Sequence, residues 1–433
     1  MIVPAWINPS FQLIEGGRTY DWASINALAM QLQPELPLGS RVAVTHRSVA
    51  TLLSSLVAAE RAGVELVLLR GASPRPAGAS VQIAKDGHLV RLGPGVSTAS
   101  RGFSVLIPTS GTTGEPKLVR QDFIRLIGRV RGTHSPESRW LLTYESTAFG
   151  GIQVILAAVT AGATLVASPG SDSRLLAALA LKHQVTHISA TPCVWRTLLS
   201  EFGQAMPPLE GVTLGGDVVD QPLIDRLATQ FPKARLRQVY ASSEGGAVFT
   251  VADGKVGFPA EWLNSGVDDV ILRVRHGILE IKSPRAMLNY AGGEDRPFTI
   301  DNWLITGDLV ERVGDRMLFT GRIETLVDID QTKVSPAKVE VALLDVPGVS
   351  DVLVSSLPGT GSLSAIVVAA PGHDPDTLRD TLNRHAEAVL RPAERPRDIS
   401  FVDHIELALS GKKVRYTAFQ YAGASPLRPH QAP

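Results

Sequence analysis

The chain holds 433 residues, with 42 Lys and Arg against 42 Asp and Glu. That length predicts two or three folded units, and zero net charge gives no long-range pull toward a nucleic-acid backbone or an anionic membrane, so neither is an expected partner. Hydrophobic residues at 44% and charged residues at 19% exclude a disordered chain, and the single cysteine, Cys193, excludes an internal disulfide or a structural zinc cluster.

The N-terminal MIVPAWINPS has no basic region followed by an apolar core, so no signal peptide is expected and a cytoplasmic location is. Residues 19–31 and 49–62 carry apolar side chains at helical spacing, and RVAVTH and VELVLL are short β-branched runs. Residues 72–79 and 93–102 are rich in Gly, Pro or Ser and predict loops. The uncharged stretch 146–171 is long enough to be taken for a membrane span, but Gln153, Thr160 and Thr164 interrupt it. The AGA at 161–163 divides it into a helix and a strand, ATLVA. From residue 172 a helix in SRLLAALALKH, a strand in THISA, a helix in VWRTLLSEF and strands in GVTLGG and RLRQVY continue the alternation. That pattern predicts a largely parallel sheet. Residues 269–320 change texture to short strands (VILRVR, ILEIK, MLFT). Beyond Gly321, helix and strand alternate again over roughly a hundred residues, enough for a separate small unit. The expected fold is α/β. A large N-terminal domain, 1–321, combines parallel-sheet subdomains with a β-rich subdomain, and a small mobile α/β domain, 322–433, follows.

The run VLIPTSGTTGEPKLV at 105–119 ends an apolar strand in small hydroxyl residues and glycines closed by a lysine. Gly111 and Gly114 allow backbone to approach phosphate oxygens, Thr109, Ser110, Thr112 and Thr113 can donate hydroxyl hydrogen bonds, and Lys117 adds a positive charge. The spacing G-x4-G-K-[ST] of a P-loop NTPase is missing.

TSGTTGEPK resembles the phosphate-loop signature of the adenylate-forming superfamily, which includes acyl-CoA synthetases, nonribosomal-peptide adenylation domains and luciferases. VYASSEG at 239–245, ITGDL at 305–309, GR at 321–322 and SGKKVR at 410–415 resemble its further motifs in the same order. The resemblance implies that a carboxylate attacks the α-phosphorus of ATP, pyrophosphate leaves, and the acyl-adenylate passes to a thiol or amine. It also implies positions. Lys412, selected over Lys413 by the spacing S-G-K-x-x-R closed by Arg415, bridges the carboxylate and the α-phosphate. Glu244, after Ala241, Ser242 and Ser243, ligates Mg2+. Tyr240 lies against adenine, Gly215, Gly216 and Asp217 floor the site, Asp308 assisted by Arg322 grips the ribose, and Glu324 is the acidic hinge residue. Ala148, Gly150, Gly151, Gly245 and Gly246 line the acyl pocket, whose small residues suggest an aryl or medium-chain acid or, equally, close helix–sheet packing.

Against typical members, the region ahead of the phosphate loop is abbreviated. TYESTAFGG puts Thr147 or Ala148 where many CoA ligases have a histidine, and Gln331 replaces a glycine that lets a pantetheine arm pass. The implied function is ATP- and Mg2+-dependent activation of a carboxylic acid and transfer to a phosphopantetheine thiol, coenzyme A (CoA) first and an acyl carrier protein second. A non-catalytic nucleotide-binding regulatory module is the reading from another class. His183 and His187, four apart with no third ligand nearby in sequence, are expected to be structural. Cys193 is expected to be a buried helix-start residue with no charged neighbour to lower its pKa.

Overall fold

The computed structural model describes residues 3–69, 78–84, 87–96, 103–109, 117–128, 135–291, 297–357, 361–408 and 410–415. Two large sheets enclose the main core. One has eight strands in the order Gly246–Val251, Arg235–Ser242, Gly211–Gly215, His187–Ala190, Arg139–Leu142, Thr164–Ala167, Gln12–Glu15 and Arg18–Asp21, parallel except at its two edges. The other runs Asn289–Tyr290, Leu118–Gln121, Ser104–Pro108, Glu65–Leu68, Arg41–Val44, Val81–Ile83 and Leu89–Arg91. The helices Val49–Ala62 and Phe149–Ala161 contribute most of their length to the buried cluster that includes Leu142, Leu165, Leu66 and Ile107 from the two sheets. Burial of near-continuous apolar strands on both faces is what a parallel sheet requires.

Local chemistry fixes the element ends. Asp21 accepts from the amide of Ser24 and starts a helix at Trp22. The helix expected from residue 19 therefore begins later, because Arg18–Asp21 pairs with Gln12–Glu15 across a glycine turn. Ser48 caps the helix Val49–Ala62, and Gly162, at φ 74°, ends Phe149–Ala161 where the expected break falls. The helix Gln221–Gln230, absent from the sequence-based expectation, is announced by Asp220 accepting from the Leu223 amide and by a proline in its first turn.

The β-rich region is a five-stranded sheet ordered Phe258–Pro259, Arg316–Arg322, Leu304–Val313, Ile278–Lys282 and Ile271–Arg275. A hairpin, Val327–Ile329 with Thr332–Val334, and a three-stranded sheet of Val349–Leu357, Ser362–Ala369 and Pro396–Phe401 follow it. The latter packs under the helices Pro336–Leu344 and Pro375–Val389 around a core of its own. No helix among the described residues is long and apolar enough to cross a membrane.

Candidate active site

A cleft of about 1370 Å3 opens along the C-terminal ends of the parallel strands, where α/β sheets bind ligands, and is lined by both the large region and the small one. Its acidic wall is built by the hairpin of Leu304–Val313 and Arg316–Arg322, which sets Asp308 directly opposite Arg322. The guanidinium Nε of Arg322 lies 3.1 Å from the Asp308 carboxylate and 3.6 Å from that of Glu324. Gly307, at φ 75°, keeps the wall this tight, since a Cβ there would stand 2.7 Å from Glu324 Oε1. Tyr240 donates its hydroxyl to Asp308 at 2.5 Å, and its ring stacks 4.8 Å from Phe319 and tilts 5.1 Å from Phe249. Burial raises the Asp308 pKa, partly offset by Arg322 and by the Tyr240 hydrogen bond. Burial, followed by the Asp308 charge, pushes the Tyr240 hydroxyl well above its ordinary value.

Glu244 sits in the turn after the strand Arg235–Ser242, held by its carbonyl accepting from Met287 N at 2.7 Å and by Gln121 donating to the Ser243 carbonyl at 2.5 Å. Burial raises its pKa as well. Tyr290 donates to Glu244 Oε1 at 3.4 Å, and Lys117 Nζ rests 5.2 Å above the Tyr290 ring. Thr109 donates its amide to the Lys117 carbonyl at 2.8 Å, closing the base of the phosphate loop. Ser110, Gly111, Thr112, Thr113 and Gly114 lie outside the described residues. Sequence reasoning missed Tyr290. It enters the site because Asn289–Tyr290 pairs with the strand that follows the loop, placing it against Val119.

The C-terminal segment brings Lys412 to the same cleft. Gly411, at φ 73°, seats this segment on the start of the helix Pro192–Phe202, where a Cβ would stand 3.0 Å from Val194 and 3.2 Å from the Thr191 hydroxyl. Thr191 caps that helix and donates its own hydroxyl to the Gly411 carbonyl. The Lys412 charge is a minor influence that lowers the Asp308 pKa against the larger effect of burial. Lys413 turns the other way, into a buried cluster 2.8 Å from Asp351 and 3.7 Å from Glu340.

Gly215, Gly216, Asp217, Ala241, Ser242, Ser243, Ala148 and Gly150 line the cleft as expected positions. Gly151, Gly245 and Gly246 do not line it. A Cβ on Gly151 would meet the Glu145 carbonyl at 2.1 Å, one on Gly246 the Arg285 carbonyl at 2.5 Å, and one on Gly245 Ile281 at 3.0 Å, so these three are small for packing. Tyr144, unforeseen, stands over Gly150 and donates to the Gly215 carbonyl at 3.5 Å, with its pKa pushed up to about 12 by burial. Cys193 is buried at the helix start. The expectation of no charged neighbours fails, because Lys413 and Arg196 both act on it, yet burial outweighs them and drives the thiol to about 12. No group of three or more His, Cys, Asp or Glu suited to a metal ion occurs among the described residues. Glu244 thus stands as one hard oxygen donor, which suits Mg2+ held by one carboxylate together with substrate phosphates.

The family model for AMP-binding enzymes matches residues 39–269, more than half of the chain, and that for the AMP-binding enzyme C-terminal domain matches 338–412. The chain belongs to the AMP-binding enzyme family. Curated relatives include a 4-coumarate–CoA ligase-like protein of Arabidopsis thaliana, 25% identical over 346 residues that cover 74% of this chain and 63% of the relative. Another is a medium/long-chain fatty acid–acyl-carrier-protein ligase of Mycobacterium tuberculosis, 28% identical over 377 residues, covering 75% and 67%. The chain spans less than two thirds of the length of several of these relatives. Among solved structures, an anthranilate CoA ligase in complex with anthranoyl-AMP superposes with a TM-score of 0.77 at 17% identity over 95% of this chain and 93% of the other. The o-succinylbenzoate CoA synthetase of Bacillus subtilis, in complex with ATP and magnesium, gives 0.68 at 20% identity over 93% and 94%. These likenesses establish the adenylate-forming fold, a large N-terminal domain with a smaller C-terminal one.

Proposed function

We propose that this AMP-binding family member activates a carboxylic acid with ATP and Mg2+ and passes the acyl group to a phosphopantetheine thiol. One observation carries the reading: Lys412 from the C-terminal segment lines the same cleft as Thr109 and Lys117, Glu244, and the Tyr240–Asp308–Arg322 wall. In this reading an acid oxygen bonds to the α-phosphorus, the bond to the β-phosphate bridging oxygen breaks, and pyrophosphate departs. Lys412 neutralises charge between the two reactants. Asp308, fixed by Arg322 and Tyr240, accepts from the ribose hydroxyls, and Ser110 to Gly114 with Lys117 cradle the outer phosphates. Glu244 holds the Mg2+, which supplies charge neutralisation on the phosphates. Ala148, Gly150, Gly215 and Tyr144 leave room for an aryl or medium-chain acid.

The thiol sulfur then attacks the acyl carbon and AMP leaves. CoA is the first choice of acceptor, supported by the CoA ligases among the relatives, and a carrier-protein arm is the second, supported by the acyl-carrier-protein ligase. The small unit from residue 322 onward, pivoting near Glu324, withdraws Lys412 between the two steps. Product analysis of mixed acids with ATP, with and without CoA, tests the proposal. Acyl-AMP and pyrophosphate are expected, and ADP or binding without turnover would overturn it.

A further inference from the structure

The cleft extends inward between the eight-stranded sheet and the helix Phe149–Ala161, which presents Gly150, Gln153, Val154 and Ala157 to it. Side chains two apart on a strand share a face. On the cleft-facing side, Gly215 pairs in register with Val239, and one pleat repeat deeper Ser189 pairs with Thr213 and Thr213 with Arg237. All five line the cleft. A polar row ending in a guanidinium therefore crosses three strands beneath the floor of the site, facing a stretch of helix that carries no charge.

Arg237 differs from the other cleft cations that make contacts. Arg322 has Asp308 and Glu324, and Lys338 has Glu311 at 3.0 Å. Among the described residues no carboxylate lies within ion-pair reach of Arg237. The charges that bear on it do not compensate it. Burial is the leading influence on its pKa and the neighbouring Arg235 the next, both disfavouring the charge. His187, one row deeper and stacked on Trp140 at 4.9 Å, is kept toward its neutral form by its own burial, opposed by Glu210 and assisted by Arg237. A guanidinium does not lose its proton in a protein, so a half-buried one without an anion is costly unless a ligand supplies the anion.

We propose that Arg237 selects acids bearing a second anionic group at the end remote from the carboxylate that is activated. The inference rests on the adenylation reading above. With the reacting carboxylate at the strand ends near Glu244 and Lys412, the second group would sit one to one and a half pleat repeats inward, about 7–10 Å away. Thr213 and Ser189 add hydroxyl donors on the same row, and the planar fork of Arg237 matches a carboxylate bidentately.

The test measures acid-dependent ATP–pyrophosphate exchange with saturated α,ω-dicarboxylic acids of about six to nine carbons, the span of that distance, each paired with its monomethyl ester. The wild-type protein and the variants Arg237→Met and Arg237→Lys are compared by the ratio of kcat/KM for diacid over ester, within which any general loss of fold or activity cancels. The wild type is expected to favour the diacid, Arg237→Met to lose roughly 10- to 100-fold of that ratio, the range of a charge-assisted hydrogen bond, and Arg237→Lys to keep part of it. A wild type that prefers the ester, or a ratio unmoved in Arg237→Met, overturns the assignment of Arg237 while leaving adenylation standing. Failure to detect acyl-AMP with any diacid, ester or unsubstituted acid overturns the adenylation reading and the inference with it.

Discussion

Lys412 and Lys413 are neighbours in the chain and belong to regions with opposite electrostatics. Around Lys413, at the seam between the large region and the C-terminal one, charges are matched. Arg196 pairs with Asp220 and lies 3.9 Å from Asp351, Lys413 is 2.8 Å from Asp351, and Arg415 is 2.6 Å from Glu340. Three cations thus face three anions, and burial is answered at each. In the cleft beside Lys412, burial raises the pKa of both Asp308 and Glu244 despite Arg322. The seam is complete by itself, whereas the cleft holds carboxylates under-compensated in the way a site does when cations and hydroxyl donors arrive with the ligand. One residue of offset divides these roles, in a turn that bends at Gly411, at φ 73°, and is closed by the Ala408 amide donating to the Lys412 carbonyl at 2.8 Å.

The sharpest way to break this contrast is to remove each lysine. Lys412→Ala is expected to lower acid-dependent pyrophosphate exchange by roughly 100- to 1000-fold, the scale of deleting one preorganised charge at a reacting centre, with the urea midpoint unchanged. Lys413→Met is expected to act through stability. It leaves Asp351 buried with the Val352 amide and, of these cations, the longer contact to Arg196, at a cost of about 3 kcal/mol that is read as a lowered urea midpoint. A Lys413→Met protein of full stability without exchange activity would erase the distinction.

A smaller effect sharpens the cleft side. Asp308→Asn removes the anion opposite Arg322, and ATP affinity by calorimetry is expected to fall about 10-fold, near the scale of one charge-assisted hydrogen bond. Because burial raises the pKa of Asp308 and Glu244, both carboxylates take up protons at higher pH than ordinary ones. ATP binding should therefore weaken, as pH falls, before the usual carboxylate range is reached. Stability responds with the opposite sign. In that window the folded state holds more protons at Asp308 than the unfolded state, so the contribution of this carboxylate to stability declines as pH rises through its raised pKa. The thermal midpoint of wild type relative to Asp308→Asn should accordingly improve toward acid pH.

How far the sequence revealed this depends on what each residue answers to. The helices Val49–Ala62 and Ser173–Lys182 and the strand His187–Ala190 are legible because their pattern reports their own burial. Glu244, Asp308 and Lys412 are legible as motif positions. Tyr290 and Tyr144 are not, since each acquires its place only when distant segments meet: Tyr290 by pairing beside Val119, Tyr144 by donating to the Gly215 carbonyl. Gly151, Gly245 and Gly246 stay ambiguous for the converse reason, because a glycine needed where backbones touch looks the same in sequence as one that opens a pocket. The seam could not be read at all, as Arg196, Asp351 and Lys413 have no local spacing in common.

The smallest expected effect lies at the hairpin Val327–Ile329 and Thr332–Val334, which connects the β-rich sheet to the C-terminal core. Its two turn residues, Asp330 at φ 48° and Gln331 at φ 65°, both occupy the left-handed region, where the second position of such a turn favours glycine. Gln331 therefore carries local strain on the order of 1 kcal/mol, at the position where related enzymes are expected to pass a pantetheine arm. Gln331→Gly should relieve it, raising the thermal midpoint by a few degrees at most, since glycine also gains freedom in the unfolded chain. Lys412 is on a different segment, so acid-dependent pyrophosphate exchange should stay as it was, while thioester formation with CoA, followed by mass spectrometry, should become faster if the glutamine side chain narrows that path. Equal thioester rates in the two proteins would assign Gln331 to the turn alone and would remove its objection to CoA as the acceptor.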